Sequence, residues 1–240
     1  MYLLLDEKGN SYLIKGEEDF HSKYGVIRAD ELRKKSPGEF IESHTGNRFS
    51  VLEPGKLDYI VKAKKGPQSV TLKDLGLISA HTCISSGSRV VDAGTGSGIM
   101  AMYLSNLVYP QKLVTYEIRE DFAKIASGNF RKAGIENIEL KMDDIYEGMD
   151  EKGLDLITLD LPEPWRVVEH ARESLKPGGY LVSYSPSISQ SKKLFDRLDG
   201  FRSETLECLS RSWNMETVRP HSRMLGHSGF LSFARLVERI

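Results

Sequence analysis

Hydrophobic and polar positions follow a short alternating pattern in the first quarter of the chain. Stretches of three to five residues that contain the apolar side chains are separated there by turn residues such as Gly9-Asn10 and His44-Thr-Gly-Asn47. Alternation over such short runs is typical of strands joined by tight turns, so we predict two β-hairpins within a small β-barrel-like domain. The four predicted strands are 3–5, 11–14, 39–43 and 48–52.

Beyond residue 85 the pattern changes to apolar strands that alternate with amphipathic helices. This alternation indicates parallel β-α-β units and a doubly wound sheet. Two further strands at the carboxyl end predict a terminal hairpin. The predicted strands are 90–92, 112–118, 137–142, 154–160, 180–184, 204–209 and 229–237, and the predicted helices are 100–107, 119–133, 166–175 and 187–198. The expected fold class is α/β, with a doubly wound, mostly parallel Rossmann-like sheet and an antiparallel terminal strand, preceded by a small β-rich N-terminal domain.

A basic stretch that contains helix breakers, Lys62-Ala-Lys-Lys-Gly-Pro-Gln68, separates the two patterns. It predicts an N-terminal domain over 1–62, a connector and helix over 63–84, and a main domain over 85–240. The basic stretch is either a solvated connector or a surface that faces RNA. For the N-terminal domain, a structural cap or an oligomer contact is favoured slightly over direct catalysis.

Composition narrows the class of protein. The 240 residues are 28% charged and 40% hydrophobic with a net charge of -1, which excludes a wholly disordered or broadly polybasic chain, so a nucleic-acid partner needs a local basic patch. Cys83 and Cys208 lie far apart and fit neither a disulfide framework nor a metal site, so no metal is expected. The apolar run at Met1–Leu5 is too short for a secretory signal, and no later run approaches a membrane span. We expect a cytoplasmic protein.

One stretch combines a buried strand, a glycine-rich turn and a helix. Val90 and Val91 form the strand, Asp92 ends it, and Gly94-Thr-Gly-Ser-Gly98 leads into the helix. Glycines permit backbone torsions and a close ligand approach that a Cβ would hinder, and the amide groups at the start of the helix can face the ligand. We therefore predict a ligand at this turn of the main domain, in preference to a purely structural loop.

Acidic residues follow the next two strands, at the edge of the sheet where ligands of such folds bind. Glu117 can accept hydrogen bonds from both hydroxyls of a ribose, and Asp144, next to Asp143, can accept from an adenine amino group. A nicotinamide cofactor would use the same diol contact, but its fingerprint is G-x-G-x-x-G, whereas this chain has G-x-G-x-G after an acid.

Together these motifs resemble the class I S-adenosylmethionine-dependent methyltransferases over residues 85–240. The resemblance implies S-adenosylmethionine as the cofactor. The residues implied to bind it are Gly94, Thr95, Gly96, Ser97, Gly98, Glu117, Ile118, Asp144, Ile145 and Asp160.

The fourth strand of the main domain ends in Asp160-Leu-Pro-Glu-Pro-Trp165. Members of the superfamily that methylate amino groups carry an acidic or amide residue here, followed by prolines and an aromatic residue. The prolines make a stiff turn that orients Asp160 into the cleft, and Trp165 could wall a base pocket. We predict Asp160 as the catalytic residue, about three times more favoured than the alternative in which Asp160 caps a helix and Trp165 belongs to the core.

A narrower set of motifs resembles the TrmI family of tRNA (adenine-N1)-methyltransferases, in an archaeal-type form. The matching stretches are Gly25-Val-Ile27, Pro37-Gly38, Phe49-Ser-Val-Leu-Glu-Pro54, Gly66-Pro-Gln68, Lys73-Asp74, Asp92–Gly98, Tyr116-Glu117, Asp160–Trp165, Arg219-Pro220 and Gly226–Leu231. The resemblance implies a homotetramer that methylates adenine 58 of the tRNA T-loop, and in some archaeal members adenine 57. Substrate contacts are predicted at Gln68, Thr71, Trp165, Arg219, Arg223 and His227, although His227 could equally bond within the fold or at an interface.

Two positions depart from the family pattern. Thr71-Leu72 stands where an aromatic residue or histidine usually precedes proline and is thought to stack near the target base, and Ser228 stands where threonine is usual. The alternatives that stay open are methylation of another base, another RNA or a small molecule, and a non-catalytic RNA-binding subunit. The last ranks low because the glycine turn and Asp160 are both present.

Overall fold

The computed structural model describes residues 1–66 and 70–238, and the chain forms two compact units, Met1–Ala63 and Lys64–Ile240. The first unit contains β1 (Tyr2–Asp6), β2 (Ser11–Ile14), β3 (Phe20–Ser22), β4 (Gly25–Ile27), α1 (Ala29–Leu32), β5 (Phe40–Glu42), β6 (Arg48–Leu52) and α2 (Lys56–Val61). The second contains α3 (Leu72–Thr82), β7 (Val90–Ala93), α4 (Ile99–Val108), β8 (Leu113–Tyr116), α5 (Glu120–Lys132), β9 (Ile138–Lys141), β10 (Leu154–Leu159), α6 (Val168–Ser174), β11 (Leu175–Ser185), α7 (Ile188–Phe195), β12 (Phe201–Glu207), β13 (Trp213–Asn214), β14 (Arg219–Pro220) and β15 (Phe230–Leu236).

The first unit is an antiparallel sheet in the order β2-β1-β6-β5 with a separate hairpin of β3 and β4. Both predicted hairpins are confirmed: Leu3 lies opposite Leu13, and Ile41 lies opposite Phe49. Alternation along each strand places one face of the sheet inside, where Phe49 and its neighbours form a core of their own. The expected domain bounds 1–62, 63–84 and 85–240 stay a prediction.

The second unit has a seven-stranded sheet in the order β12-β15-β11-β10-β7-β8-β9. Strands β7 to β11 pair in parallel, and β15 runs antiparallel to both of its neighbours. The predicted α/β fold with a mostly parallel sheet and an antiparallel strand is confirmed. Among the described residues, no helix has the length and apolar character needed to cross a membrane.

One strand position and two element bounds differ from those expected. The last strand of the chain, β15, lies inside the sheet between β11 and β12, because its residues pair on both edges. β11 begins at Leu175 rather than at residue 180, since Lys176-Pro-Gly-Gly179 continues in extended form beside an irregular register at β10. α6 begins at Val168, after a 3-10 turn that starts at Pro164.

Strand order determines where a site can form. The chain proceeds outward from β7 through β8 to β9 on one side and from β10 to β11 on the other, so the order reverses between β7 and β10. Ligands of open α/β sheets bind beyond the carboxyl ends of the strands at such a reversal. In the shared register, Ala93 of β7 lies beside Tyr116 of β8 and Leu159 of β10, so the residues that follow all three emerge at this edge.

Candidate active site

A cleft of about 420 Å³ lies at the carboxyl ends of β7, β8 and β10. Eight of the ten predicted cofactor residues line it, and two do not. The lining residues among those predicted are Gly94, Gly96, Ser97, Glu117, Ile118, Asp144, Ile145 and Asp160. The side chains that sequence reasoning did not assign to the cleft include Arg119, Phe122, Tyr146 and Leu161.

The three glycines of the turn have different reasons to be glycine. A Cβ on Gly94 would lie 2.1 Å from the backbone oxygen of Asp160, and one on Gly98 would lie 2.4 Å from the Phe130 ring. Both also have φ above +80°. Gly96 faces open space, since only the oxygen of Gly94, at 3.8 Å, is near its missing Cβ. The turn is therefore packed at its two ends and open toward the cleft at its centre.

Thr95 and Gly98 do not line the cleft. The Thr95 hydroxyl lies 2.7 Å from the Thr115 hydroxyl and donates to the backbone oxygen of Tyr116, while Gly98 packs on α5. Both residues shape the turn from outside the cleft, Thr95 from the sheet beneath it and Gly98 from its contact with α5. Direct contact of either with a cofactor stays a prediction.

Asp92 is buried below the turn and connects three strands. Its carboxylate accepts hydrogen bonds from Thr115 on β8 and Thr158 on β10, at 2.8 and 2.7 Å. Burial raises the pKa of Asp92 to about 6, although these two hydrogen bonds lower it. Because the Thr115 hydroxyl also lies beside that of Thr95, the network fixes the turn to the sheet beneath it.

Glu117 is held rigidly at the edge of the cleft. One carboxylate oxygen accepts from the backbone N–H of Gly96 at 2.8 Å, and the other accepts from the backbone N–H of Arg119 at 3.0 Å. Each oxygen of an ionised carboxylate has a second acceptor site, so both remain able to accept from a ligand. The arrangement fits a pair of neighbouring hydroxyl groups.

Beside Glu117 the cleft is apolar on two sides. Ile118 is 62% exposed although it is aliphatic, and Ile145 is buried with its surface toward the cleft. Asp144 closes this end, where one of its oxygens accepts from the backbone N–H of Tyr146 at 2.9 Å. Apolar walls beside an acidic acceptor suit a flat heterocycle that bears an amino group.

Asp160 lies on the other side of the turn, directly after β10. Its backbone N–H donates to the oxygen of Ala93 at 2.9 Å, which fixes the start of the proline-rich segment. Among the described residues, none donates a hydrogen bond to its carboxyl group. Burial, followed by the charge of Asp92, raises the pKa of Asp160 to about 7. An acidic group in a cleft whose pKa is strongly raised by burial and a neighbouring charge is a common mark of a functional site.

Asn129 on α5 supports the turn, and sequence reasoning missed it. Its amide donates to the backbone oxygen of Ser97 at 2.8 Å and to that of Lys64 at 3.0 Å, while its oxygen accepts from the N–H of Lys64. The sequence contains a signal for it. Asn129 is a polar residue at the helical spacing of Ala123, Ala126 and Phe130, which form the buried face of α5.

The predicted substrate residues are dispersed. The Thr71 hydroxyl donates to Asp74, and Trp165 packs against the core with the Lys193 ammonium group 4.9 Å from its ring. Arg219 and Arg223 are exposed on the connection between β12 and β15, and Gln68 lies outside the described residues. Thr71, Trp165, Arg219 and Arg223 do not line the cleft as described. Contacts of all the predicted residues with a substrate stay predictions.

His227 has both ring nitrogens engaged within the chain. Nδ1 lies 2.6 Å from the Glu207 carboxylate, and Nε2 lies 3.0 Å from the backbone oxygen of Pro186. Neither acceptor carries a proton, so a doubly protonated imidazole satisfies both. The hydrogen bond with Glu207 accordingly raises the pKa of His227. The side chain thus joins the ends of β11 and β12.

The chemistry of the cleft fits S-adenosylmethionine. Glu117 would accept from the ribose hydroxyls, Asp144 and the two isoleucines would hold the adenine, and the open centre of the turn at Gly96 leaves room for the amino-acid part. Within residues 1–66 and 70–238, no three His, Cys, Asp or Glu side chains are grouped to hold a metal ion.

The family and the relatives that match this chain are described as tRNA methyltransferases. Residues 59–221 match the family described as tRNA methyltransferase complex GCD14 subunit. The tRNA (adenine(57)-N(1)/adenine(58)-N(1))-methyltransferase TrmI of Methanocaldococcus jannaschii is 36% identical over 98% of this chain and 94% of its own length. The tRNA (adenine(58)-N(1))-methyltransferase TrmI of Thermus thermophilus is 33% identical over 95% and 94%.

Solved structures agree with the architecture over its whole length. A structure described as an S-adenosylmethionine-dependent O-methyltransferase from Thermotoga maritima superposes with a TM-score of 0.93 at 35% identity, over 100% of this chain and 93% of that one. The tRNA (m1A58) methyltransferase TrmI from Aquifex aeolicus superposes with a TM-score of 0.85 at 26% identity, over 99% and 96%.

Proposed function

We propose that this chain, which belongs to the GCD14/TrmI family of tRNA methyltransferases, transfers a methyl group to N1 of adenine in the T-loop of tRNA. The target is adenine 58, together with adenine 57 as named for the archaeal relative. The observation that carries this proposal is Asp160, whose carboxyl group lies beside the glycine turn at the end of β10 and receives no hydrogen bond from residues 1–66 or 70–238.

The cofactor in this proposal is S-adenosylmethionine, held by Glu117, Asp144, Ile118 and the open centre of the turn. When bound, it supplies an electrophilic methyl group on a sulfonium sulfur. The residues on this side of the cleft bind the cofactor and orient it. Because Glu117 is fixed by two backbone N–H groups, it presents its free acceptor sites without a loss of side-chain freedom.

Asp160 is proposed to act on the acceptor base. Adenine N1 carries a lone pair and no proton, so the chain needs no base to deprotonate the attacking atom. Methylation leaves a positive charge on the ring, and the Asp160 carboxylate would accept from the exocyclic N6 amino group and stabilise that charge as it forms. The adenine must first leave its stacked position in the T-loop, as in other enzymes that act on a base.

Product mapping tests the proposal directly. The protein is incubated with isotopically labelled S-adenosylmethionine and an unmodified tRNA transcript, and the nucleosides are analysed by mass spectrometry. We expect labelled 1-methyladenosine, reduced when adenine 58 of the transcript is replaced and reduced further when adenine 57 is also replaced. Absence of 1-methyladenosine from the wild-type reaction contradicts the proposal.

The Thermotoga maritima structure supports a second candidate, because it combines the name O-methyltransferase with 35% identity to this chain. Transfer to oxygen on an RNA ribose or a small molecule would give a product that differs from 1-methyladenosine in fragmentation. The same mass spectrometry therefore separates the two candidates. Binding of tRNA without any transfer would instead indicate a non-catalytic subunit.

The assembly proposed is a homotetramer, and the location proposed is the cytoplasm. Support for assembly comes from the connection between β12 and β15, residues 208–229, which carries large apolar side chains in solvent. Those that are exposed are Leu209, Trp213, Met215, Val218, Met224 and Leu225. A high density of exposed apolar side chains along one segment is typical of interaction surfaces.

A further inference from the structure

A second polar cluster lies beside Asp160 on the side away from the cofactor cleft. Lys73 and Asp74, at the start of α3, form a buried ion pair at 2.8 Å, with side-chain exposures of 16% and 1%. Asp74 also accepts from the Thr71 hydroxyl at 2.7 Å. The cofactor site as described uses none of these groups. Burial of two charges costs desolvation free energy, which good geometry and further hydrogen bonds must offset. The other hydrogen-bond partners of this pair are therefore informative.

Lys73 connects this pair to the carboxyl end of the chain. Its ammonium group donates to the Ser228 hydroxyl at 2.5 Å as well as to Asp74. The backbone oxygen of the same Ser228 accepts from the hydroxyl of Tyr184 at the end of β11. Gly229 then packs flat on the Tyr184 ring, where a Cβ would lie 2.5 Å from the ring.

Tyr184 in turn stands next to Asp160. Leu159 of β10 lies opposite Ser183 of β11, so the following residues, Asp160 and Tyr184, emerge side by side. Burial and then the charges of Asp74 and Asp160 raise the pKa of Tyr184 to about 12, so the phenol stays protonated and continues to donate to Ser228. With the cofactor cleft on the β7 side of Asp160, the β11 side is the one left for the acceptor base.

We infer that Lys73 is a positioning residue for methyl transfer: its ammonium group joins Asp74 to Ser228 and so fixes the 226–229 loop and Tyr184 as the wall of the acceptor site beside Asp160. This inference rests on the proposed transfer to adenine and deepens it. Lys73 acts through Ser228 and Tyr184 and needs no contact with the substrate. Displacement of such a wall misplaces the base relative to the methyl group, and errors near 1 Å can cost about a hundredfold in rate.

Single-turnover transfer at saturating S-adenosylmethionine tests the inference in four single variants and one double variant. Ser228→Ala removes the acceptor of the Lys73 bond, and Ser228→Thr keeps it. Lys73→Met removes the donor, and Lys112→Met is the control, since Lys112 is an exposed lysine paired with Glu139 at the opposite edge of the sheet. Calorimetric titration with S-adenosylhomocysteine reports the cofactor site separately.

We expect Ser228→Ala and Lys73→Met to slow transfer to tRNA by about tenfold or more, with affinity for S-adenosylhomocysteine within about twofold of wild type. Ser228→Thr and Lys112→Met should transfer at the wild-type rate. The double variant Lys73→Met/Ser228→Ala should be no slower than Lys73→Met, because both changes break one connection.

Wild-type rates in both Ser228→Ala and Lys73→Met overturn the inference, as does a Ser228→Thr variant as slow as Ser228→Ala. If Lys73→Met does not fold because Asp74 is left buried without its partner, the two Ser228 variants decide alone. A wild-type protein that makes no 1-methyladenosine refutes the proposed function instead, so the two failures are distinguishable.

Discussion

Two acidic residues at the carboxyl ends of neighbouring strands differ in what surrounds their carboxyl groups. Asp92 receives two hydroxyl donors, whereas Asp160 receives none from the described residues. Burial raises the pKa of both, to about 6 and about 7, and the charge of Asp92 adds to the shift at Asp160. The hydrogen-bonded acid therefore has a structural role, and the one without donors is free to act on a ligand.

The pH dependence of transfer is the first prediction at this scale. Asp160 is useful only as a carboxylate, because the protonated form accepts less well from the adenine amino group. With a pKa of about 7 in the free protein, kcat/KM for tRNA should rise with pH through about 7 and level off above it. Asp160→Asn should be at least about a hundredfold slower with no such rise, while still binding S-adenosylhomocysteine. Initial rates of the wild type are measured between pH 6 and 8, about one unit to each side of the pKa. A profile that is flat over this range contradicts the prediction.

The same carboxyl group affects stability in the ligand-free protein. Its folded pKa of about 7 lies above the ordinary value of 3.8, so the stability it contributes is complete below that value and is lost as pH rises through 7. Asp160→Asn should thus raise the free energy of unfolding by about 1–3 kcal/mol near pH 8 and by much less near pH 4. Urea denaturation measures both.

The exposed acid Asp150 provides the control for that measurement, since its side chain is 97% exposed. Asp150→Asn should leave the free energy of unfolding nearly unchanged at both pH values. An Asp160→Asn variant that is stabilised equally at the two pH values would mean that its effect does not come from the carboxylate charge.

At the scale of elements, helix α5 is more important to the cofactor site than its sequence pattern indicated. Its Ala126 and Phe130 pack against Gly98, and its Asn129 holds the backbone of the glycine turn at Ser97. The turn is thus supported from beneath by Asp92 and from the side by α5. Removal of either support should loosen the turn without touching the ligand.

Asn129→Ala tests the support from α5. The change removes the hydrogen bond that the Asn129 amide donates to the oxygen of Ser97, a loss of about 1–3 kcal/mol, and we expect affinity for S-adenosylhomocysteine to fall by about tenfold. Asn106→Ala on α4 is the matched control, because within the described part of the chain the Asn106 amide bonds only to the preceding turn of its own helix. Equal affinities of the two variants in calorimetry would show that the turn holds its shape without Asn129.

Sequence patterns located the elements of this site more reliably than the side-chain partners within them. Strand–turn–helix periodicity and the acids at the strand ends are local features, so Gly96, Glu117 and Asp144 could be assigned to the cleft in advance. Asn129, Lys73 and Tyr184 act across distances of 32 to 155 residues in the chain, and single-sequence patterns carry no information about such pairs. For the same reason the position of β15 inside the sheet could not be inferred.

On the scale of the whole molecule, the 208–229 connection is the segment whose surface is hardest to explain in a single chain. It contains the short hairpin of β13 and β14, and Trp213, Met215 and Val218 there are 54%, 75% and 70% exposed. Exposure of three large apolar side chains on one hairpin is unfavourable in water, because burial of each is worth about 1.5–3 kcal/mol. An interface between copies of this chain would remove that surface from water.

The final prediction follows from this surface. Light scattering coupled to size-exclusion chromatography should give four times the chain mass of 27.0 kDa for the wild type. Replacement of Trp213, Met215 and Val218 by serine should shift the mass toward smaller species.

Phe195→Ser is the control, because Phe195 is 58% exposed but lies on α7, outside the connection. A triple variant that keeps the tetramer mass would place the interface elsewhere, and a monomeric wild type would refute the assembly. Since the triple variant leaves the cleft residues unchanged, its affinity for S-adenosylhomocysteine should equal that of the wild type, which separates a loss of assembly from a loss of folding.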